Sequence, residues 1–364
     1  MIPIFHPYTG ARARILKEIK DTLNTRWWGQ GPKVDQFEKA FGRKFGYRFP
    51  LFVNSGTAAL ELAYHLIGLK KGDEVIVPVL DCTAGQMCLK RRGIGIVFGD
   101  IDRRTLNLDP LSLEKKITRK TRAIVAVHLG GIPVSNLVYE IAWRHKIPVI
   151  TDAAQHHVPT RGDYICYSFQ AIKHITTCDG GMLVLKNRKE HHHARLLRWF
   201  GIDRKLKVKK NFQAWERREM TFDVAEAGYK FQPTDVDACF GLATLPDLDK
   251  VIRYRQRLAW EYLKHLRKIP RIRSVVGGSV WLYGILCEER DDLADYLRAN
   301  SVECNLIHLR NDIYKVFGGR RWKLPNMDYI EPRYLYLPMN TKVRLQDVRY
   351  ICAIIGKFYR TRSC

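Results

Sequence analysis

The sequence contains no run of about 18 or more uncharged apolar residues, so no transmembrane helix is expected. Its first residues, "MIPIFHPYTGARAR", lack the apolar core of a signal peptide. The nine cysteines, at 82, 88, 166, 178, 239, 287, 304, 352 and 364, form no CxxC pair. That spacing argues against a zinc site or a redox dithiol, so no metal is expected. An odd, scattered set of thiols fits a reducing compartment, and the expected location is cytoplasmic. Acidic residues are scarce: 37 stand against 62 basic ones, for a formal charge of +25. A surface of this sign suits nucleic acid or anionic small molecules. The charge is spread along the chain, with only short runs such as "RKLKVKK" at 204–210. No zinc-finger spacing and no RNP-like aromatic motif accompanies it. A soluble enzyme that takes anionic substrates is therefore preferred to a nucleic-acid binder. The triplet "HHH" at 191–193 reads as a polar helix face, because adjacent residues on a helix point different ways.

The 364 residues include 46% hydrophobic and 11% aromatic residues, enough for two packed domains. Six runs read as buried strands: 73–79, 95–101, 122–129, 147–153, 164–169 and 181–186. Helical periodicity lies between several of them. In 57–69, Ala59, Leu62, Ala63, Leu66 and Ile67 share one face. Segment 138–146 repeats the pattern. Strand–helix alternation predicts an α/β fold with a mostly parallel central sheet, whose ligands sit at the carboxyl ends of the strands. After about residue 245 the pattern changes. A long charged helix near 248–268, then "SVWLYGILCE", "DDLADYLRAN" and "LQDVRYICAIIGKFYR", read as a smaller α/β domain. The expected division is 1–245 and 246–364. The basic stretch 204–220 reads as the longest loop.

Three sites stand out. "NSGTAALELA" (54–63) reads either as an ordinary capped helix or as an anion site. In the second reading Gly56 lets a ligand approach the backbone, and Thr57 adds a hydroxyl to free helix N–H groups. "VITDAAQHH" places Asp152 at a strand end, as a helix cap or as a partner for a protonated ring nitrogen. The alanines beside it would let a flat ring lie against the backbone. "YSFQAIKHITTCDGG" (167–181) then puts Ser168 five residues before Lys173. An isolated lysine reads as surface decoration. A lysine behind an anion site and a strand-end Asp reads differently, because an amine with a lowered pKa bonds an aldehyde. Phosphate, ring nitrogen and aldehyde each find a partner, which fits pyridoxal 5'-phosphate.

The chain resembles the DegT/DnrJ/EryC1/StrS family of pyridoxal-phosphate-dependent nucleotide-sugar aminotransferases, which share the aspartate aminotransferase fold (fold type I). The resemblance spans nearly the whole chain. It rests on "WWGQGPKVDQFEKAF", "SGTAALELA", "GDEVIVP", "DIDRRTLNLDP", "VHLGGIP", "TDAAQHH", "SFQAIKHITTCDGG" and "EAGYKFQPTDVDACFGL", in family order. It implies that Lys173 bonds the cofactor, Asp152 holds the pyridine nitrogen and Gln155 the phenolic oxygen. Gly56, Thr57 and Ser168 would hold the phosphate. Two positions depart from the family pattern. Cys82 stands where an aromatic residue often stacks on the ring, leaving the ring to Ala154 and Asp152. The common "GYN" reads "GYK", so Lys230 would approach the phosphate of the neighbouring subunit in a homodimer with a shared site. His308 and Arg310, in "IHLRND", would reach the sugar or nucleotide.

The activity implied is transfer of an amino group from L-glutamate to a nucleotide-linked keto sugar, with a 4-keto-6-deoxyhexose as the expected sugar and surface glycans as the product's destination. A dehydratase branch of the same family carries histidine at the lysine position, and Lys173 argues against it. A non-catalytic regulatory protein that binds the cofactor or sugar is the other alternative. No added regulatory domain is visible in support of it.

Overall fold

The computed structural model describes residues 1–25, 27–203, 224 and 226–362. The expected loop at 204–220 lies outside the described residues.

The N-terminal part holds a seven-stranded sheet. Its strands are β1 (Pro50–Val53), β2 (Glu74–Pro78), β3 (Gly95–Gly99), β4 (Thr121–Val127), β5 (Val149–Asp152), β6 (Tyr164–Ser168) and β7 (Gly181–Val184). The order across the sheet is β1-β7-β6-β5-β4-β2-β3. The pairs from β6 through β5, β4 and β2 to β3 are parallel, and β7 runs against both β6 and β1. The expected α/β fold with a mostly parallel sheet is what the chain adopts. The six strand-like runs all became strands, and β1 is the strand-like run ahead of the "NSGT" motif.

Helices cover both faces. They are α1 (Arg12–Asn24), α2 (Pro32–Phe45), α3 (Gly56–Ile67), α4 (Ala84–Arg91), α5 (Pro110–Lys116), α6 (Asn136–Arg144), α7 (Arg188–Leu197) and α8 (Asp235–Thr244). Small side chains draw α3 onto the sheet: Ala58, Ala59 and Ala63 are buried against β6 and β7 with Leu62 and Tyr64. The opposite face packs aromatic residues. Phe37 and Phe41 of α2 meet Phe52 of β1, Tyr167 of β6 and Phe169 edge-on. Each such ring, fully buried, contributes roughly 1.5–3 kcal/mol. The start of α2 is held from far along the chain. Asp235, at the start of α8, accepts the N–H groups of Gly31 and Val34 on one oxygen (2.8 and 3.1 Å). One carboxylate thus ties the "WWGQGPK" block to the "QPTD" block.

Helix α9 (Leu248–Leu266) leads into the C-terminal part. Its Leu248 and Ile252 belong to the aromatic core of the large sheet, while Leu258, Ala259, Tyr262 and Leu266 belong to the next core. That second core surrounds an antiparallel sheet of β8 (Ile272–Val275), β9 (Tyr283–Cys287) and β10 (Tyr334–Leu337). Helices α10 (Arg290–Ala299) and α12 (Leu345–Arg360) complete it, while Met327 and Ile330 of α11 (Pro325–Ile330) pack into the core of the large sheet. The extreme N-terminus lies against this second part. Ile2 pairs with Val302, and Asn340 Nδ2 donates to the Pro3 carbonyl (2.8 Å). A division at 245/246 would assign those first residues to the other part.

Candidate active site

Parallel strands β4, β5 and β6 end side by side, which sets His128, Asp152 and Ser168 along one edge. The His128 N–H donates to the Asp152 carbonyl (3.0 Å). Asp152 is 8% exposed, and its Oδ1 accepts the Ala154 N–H (2.9 Å). Burial pushes its carboxyl up, while that N–H and the charge of Lys173 pull it down. The small Ala153–Ala154 step lets the chain turn directly behind the carboxylate.

Ser168 closes β6 beside the first turn of α3. A Cβ on Gly56 would stand 2.8 Å from the Ser168 Cβ, so glycine is required there. A Cβ on Gly181 would meet the Ser55 carbonyl oxygen at 2.4 Å. The two glycines bring the start of α3, the end of β6 and the start of β7 to backbone contact. Ser55 Oγ caps the helix by accepting the Ala58 N–H (3.0 Å). The preceding N–H groups, of Gly56 and Thr57, precede any intrahelical acceptor and point out of the helix start. Thr57 is exposed. With Ser168 Oγ these form a group of donors of the kind that suits an anion.

Lys173 follows in a turn closed by its own N–H on the Gln170 carbonyl (2.9 Å). Its side chain is partly exposed, and its Nζ stands 3.9 Å from the ring centroid of Trp281. The indole Nε1 donates back to the Ile172 carbonyl (3.2 Å), which fixes ring and turn together. Desolvation lowers the amine to about 8, with a further push from Arg255, against the pull of Asp152, Cys82 and Asp81. A lysine in that state is a nucleophile near neutral pH.

Gln155 Oε1 accepts the Gly130 N–H (2.6 Å), and its Nε2 meets His308 Nε2 (3.0 Å). His308 therefore reaches the site from the C-terminal part. Burial and the Lys173 charge lower it to about 3. Cys82 is exposed and lines a cleft with Asp81, Thr83, Asn305, His308 and Tyr314. The cleft opens on this edge of the sheet.

Arg310 does not reach it, which corrects the expectation of a substrate contact. Its guanidinium grips Asp312 through Nε and Nη2 (2.7 and 2.6 Å) and Asp328 through Nη1 (2.6 Å). It is 1% exposed. The acids downstream in the sequence occupy its donors. Lys230 is exposed, with its Nζ 3.9 Å from the Trp199 ring centroid and its carbonyl accepting Asn54 Nδ2 (3.2 Å).

Several residues at the site escaped the sequence reading. Asp81 is 4% exposed; its Oδ1 accepts the Cys82 N–H (2.6 Å) and its Oδ2 accepts from Gln86 Nε2 (3.2 Å). Burial and the Asp152 charge push its carboxyl well up. An acid inside an otherwise apolar run, "VPVLDC", was the available signal. Trp281 and Arg255 had none, because each sits within an ordinary strand-like or helix-like pattern.

The edge thus gathers a desolvated lysine, a buried carboxylate and an anion cradle. Residues 10–356 match the DegT/DnrJ/EryC1/StrS aminotransferase family. The chain is 31% identical to the spore coat polysaccharide biosynthesis protein SpsC of Bacillus subtilis, over 92% of this chain and 91% of that protein. It is 29% identical to the GDP-perosamine synthase of Escherichia coli O157:H7, over 98% of both chains. The sugar aminotransferase CalS13 of Micromonospora echinospora has the same fold, with a TM-score of 0.89 at 27% identity over 98% of this chain and 100% of that one. With the match running from α1 to α12, the chain belongs to the DegT/DnrJ/EryC1/StrS aminotransferase family.

Proposed function

We propose that this enzyme uses pyridoxal 5'-phosphate to move an amino group from L-glutamate to the keto group of a nucleotide-linked sugar. The observation that carries the reading is Lys173. Its amine is held near neutrality at the strand edge that also presents Asp152 and the Gly56–Ser168 cradle. Side chains and cofactor fit. The cradle suits a phosphate, a flat ring matches the narrow Ala153–Ala154 turn, and the amine stands free to bond an aldehyde. When bound, the cofactor supplies an electron sink for the carbon that loses its proton.

The chain's own groups divide the work. Gly56, Thr57 and Ser168 bind the phosphate and fix the cofactor's position. Asp152 holds a proton at the ring nitrogen. Lys173 would carry protons at the reacting carbons as general base and then acid. Gln155, oriented by the Gly130 N–H, gives an amide N–H to His308 and would offer its amide to the phenolic oxygen. Cys82 would offer a bound ring no aromatic cover, so Asp152 and Ala154 would carry more of its orientation.

A GDP-perosamine synthase among the relatives supports a nucleotide-linked 4-keto-6-deoxyhexose as acceptor, and SpsC supports a polysaccharide as the destination. The positive surface suits the diphosphate. No described helix is long and apolar enough to cross a membrane, and a cytoplasmic location is proposed with the substrate. We further propose a homodimer in which Lys230 of one subunit reaches the phosphate site of the other.

Purified protein tests the reading directly. A visible absorbance band from bound cofactor, bleached by glutamate and restored by one of a panel of GDP-, dTDP- and UDP-linked 4-keto sugars, is the expected result. A protein that never acquires the band would overturn it.

A further inference from the structure

Helix α9 buries one side and leaves an unusual row on the other. Val251, Ile252, Leu258, Ala259, Tyr262 and Leu266 face the cores. Lys250, Arg253, Arg257, Trp260 and Lys264 are exposed. Steps of three, four, three and four residues put those five on one stripe. At 1.5 Å per residue the stripe is about 21 Å long. Trp260 stands 73% exposed among the four cations. A large aromatic residue has no reason in folding to sit there, since burial elsewhere would stabilise the chain.

The acids near the stripe are already engaged. Glu261, four residues after Arg257, turns to Arg349 of α12 (2.5 Å) and to His265 (3.3 Å). Asp247 holds Arg14 and the Tyr8 hydroxyl, and Asp249 holds Lys44 (2.8 Å). Among the described residues, Lys250, Arg253, Arg257 and Lys264 make no ion pair. The Arg349–Glu261 bond sets α12 alongside, and Lys357 and Arg360 are exposed on that helix without ion pairs as well. At the start of the stripe, Tyr8, Lys250, Arg253, Tyr254, Arg257 and Thr341 line a cleft of about 610 Å³. The hydroxyls of Tyr8 and Tyr254 are bound to Asp247 and to the Val343 carbonyl, so this cleft offers cations and ring carbon.

We propose that the outer side of α9 docks on an anionic lipid surface, with its cations on lipid phosphates and Trp260 at the headgroup level. Charge requires a negative partner, and the straight row requires a broad one. Lipid phosphates have no fixed register, so a row of cations meets them without a matching shape. An indole, apolar in its body and polar at its N–H, settles at a membrane–water boundary. Single-stranded nucleic acid is met instead by several stacking rings in a groove, and this stripe has one ring on a convex helix. The apolar side of α9 is committed to the protein cores, so contact is shallow and mainly electrostatic, with Trp260 as the group that inserts. No described helix is long and apolar enough to cross a membrane, and none is needed for adsorption of this kind. The docking requires neither cofactor nor sugar, and stands apart from the transfer reaction.

The test is sedimentation of the purified full chain with vesicles. Mixed phosphatidylcholine–phosphatidylglycerol vesicles should carry the protein down at about 0.1 M salt and release it at about 1 M, where charges are screened within a few ångströms. Vesicles of phosphatidylcholine alone should not carry it. The double variant Arg253→Gln, Arg257→Gln should bind the mixed vesicles about 30-fold more weakly, the effect of two cations lost from a membrane contact. A control with the same net charge, Arg119→Gln with Lys120→Gln in the exposed turn before β4, should bind like the wild type. Tryptophan emission should shift to shorter wavelength when mixed vesicles are added to the wild type, and Trp260→Phe should lose that shift. Failure of the wild type to sediment at about 0.1 M salt overturns the proposal. An equal loss in the control variant does so too, since net charge alone would then be at work. So does an unchanged emission shift in Trp260→Phe. Tighter binding of single-stranded DNA than of vesicles at the same salt, weakened by the α9 double variant, would overturn it in favour of nucleic acid. Should the double variant fail to fold, by circular dichroism, Trp260→Phe decides.

Discussion

Gln155 Nε2 donates to His308 Nε2 across 3.0 Å, joining the large sheet to the C-terminal part at the mouth of the site. The direction of that bond is settled by the other end of the amide, since Oε1 takes the Gly130 N–H. His308 must therefore accept at Nε2 and carry its proton on Nδ1. Its lowering to about 3 agrees, because an acceptor nitrogen in a buried place has no proton to spare. His308→Asn should raise KM for the nucleotide sugar and lower kcat/KM about tenfold, the worth of roughly one good hydrogen bond. The shape of the pH profile near neutrality should not change, since His308 does not titrate there. Loss of a limb of that profile in the variant would show that His308 is charged.

Much of this site was legible in order along the chain. The strand-end positions of Asp152 and Ser168, and the glycine at the start of α3, are local features, and periodicity and turn chemistry are local signals. What escaped notice is non-local. Trp281 lies more than 100 residues beyond Lys173, in a segment that reads as plain core, and Arg255 lies on a helix whose periodicity is ordinary. Arg310 differs: one of its partners, Asp312, stands in the same "IHLRND" motif, which reads equally as a substrate loop, and only Asp328 is brought in from farther along the chain. The backbone pairing of Ile2 with Ser301 and Glu303 is non-local in the same way as the Trp281 contact.

Lys173 sets a pH limit on cofactor capture. With the amine lowered to about 8, its free fraction grows as pH rises and levels off above that value. The rate at which cofactor-free protein develops the visible band should follow the same curve. Lys173→Ala should give no band and no transamination while its circular dichroism stays that of the wild type. Arginine at this position should not rescue it, since a guanidinium bonds no aldehyde under these conditions. Wild-type turnover in the alanine variant would remove Lys173 from the chemistry.

Acid should destabilise the fold ahead of any effect on ordinary carboxylates. His128, His157 and His308 are each lowered to about 3, and His174 lies well below the usual value. A histidine lowered in the folded state contributes its full stability above the unfolded value near 6.5 and loses it as pH falls toward 3. Between pH 7 and 5.5 the loss is roughly 1 kcal/mol per histidine. Asp81 and Asp152, both raised, act in the opposite direction, but they are outnumbered. Urea midpoints should fall over that interval. A flat or rising midpoint would mean these histidines are charged in the fold.

Arg310 should prove structural. Asp312 is fully buried and holds it through two bonds. Asp312→Asn would weaken the two-point carboxylate grip and leave Asp328 and Glu331 to balance the guanidinium, at a cost of roughly 1.5–3 kcal/mol for a lost charge-assisted bond. Denaturant unfolding should show that loss, whereas KM for the sugar in protein that remains folded should not move. A large KM effect with unchanged stability would return Arg310 to the substrate.

Lys230 tests the shared site. Within its own chain its ammonium lies over Trp199, at 3.9 Å from the ring centroid, and its backbone is tied to Asn54 beside the α3 cradle. A cation over an indole at an exposed position is worth about 0.5–1 kcal/mol. A charge-assisted bond to a phosphate is worth roughly 1.5–3 kcal/mol, so a partner's cofactor would draw the side chain away from the ring. In the proposed homodimer, Lys230→Ala should weaken cofactor affinity about 10- to 100-fold. Trp199→Ala, which removes the resting place, should leave that affinity near its wild-type value or raise it slightly. Sedimentation of the wild type should give a dimer at the concentrations where cofactor binds. Mixing Lys230→Ala with Lys173→Ala subunits sharpens the result. If the lysine acts across the interface, a heterodimer pairs both defects at one site and leaves the other site whole. Activity should then reappear on mixing two forms that are each weak or inactive alone at low cofactor. Absence of any recovery, with heterodimers shown to form, would place Lys230 in its own subunit's site or in solvent.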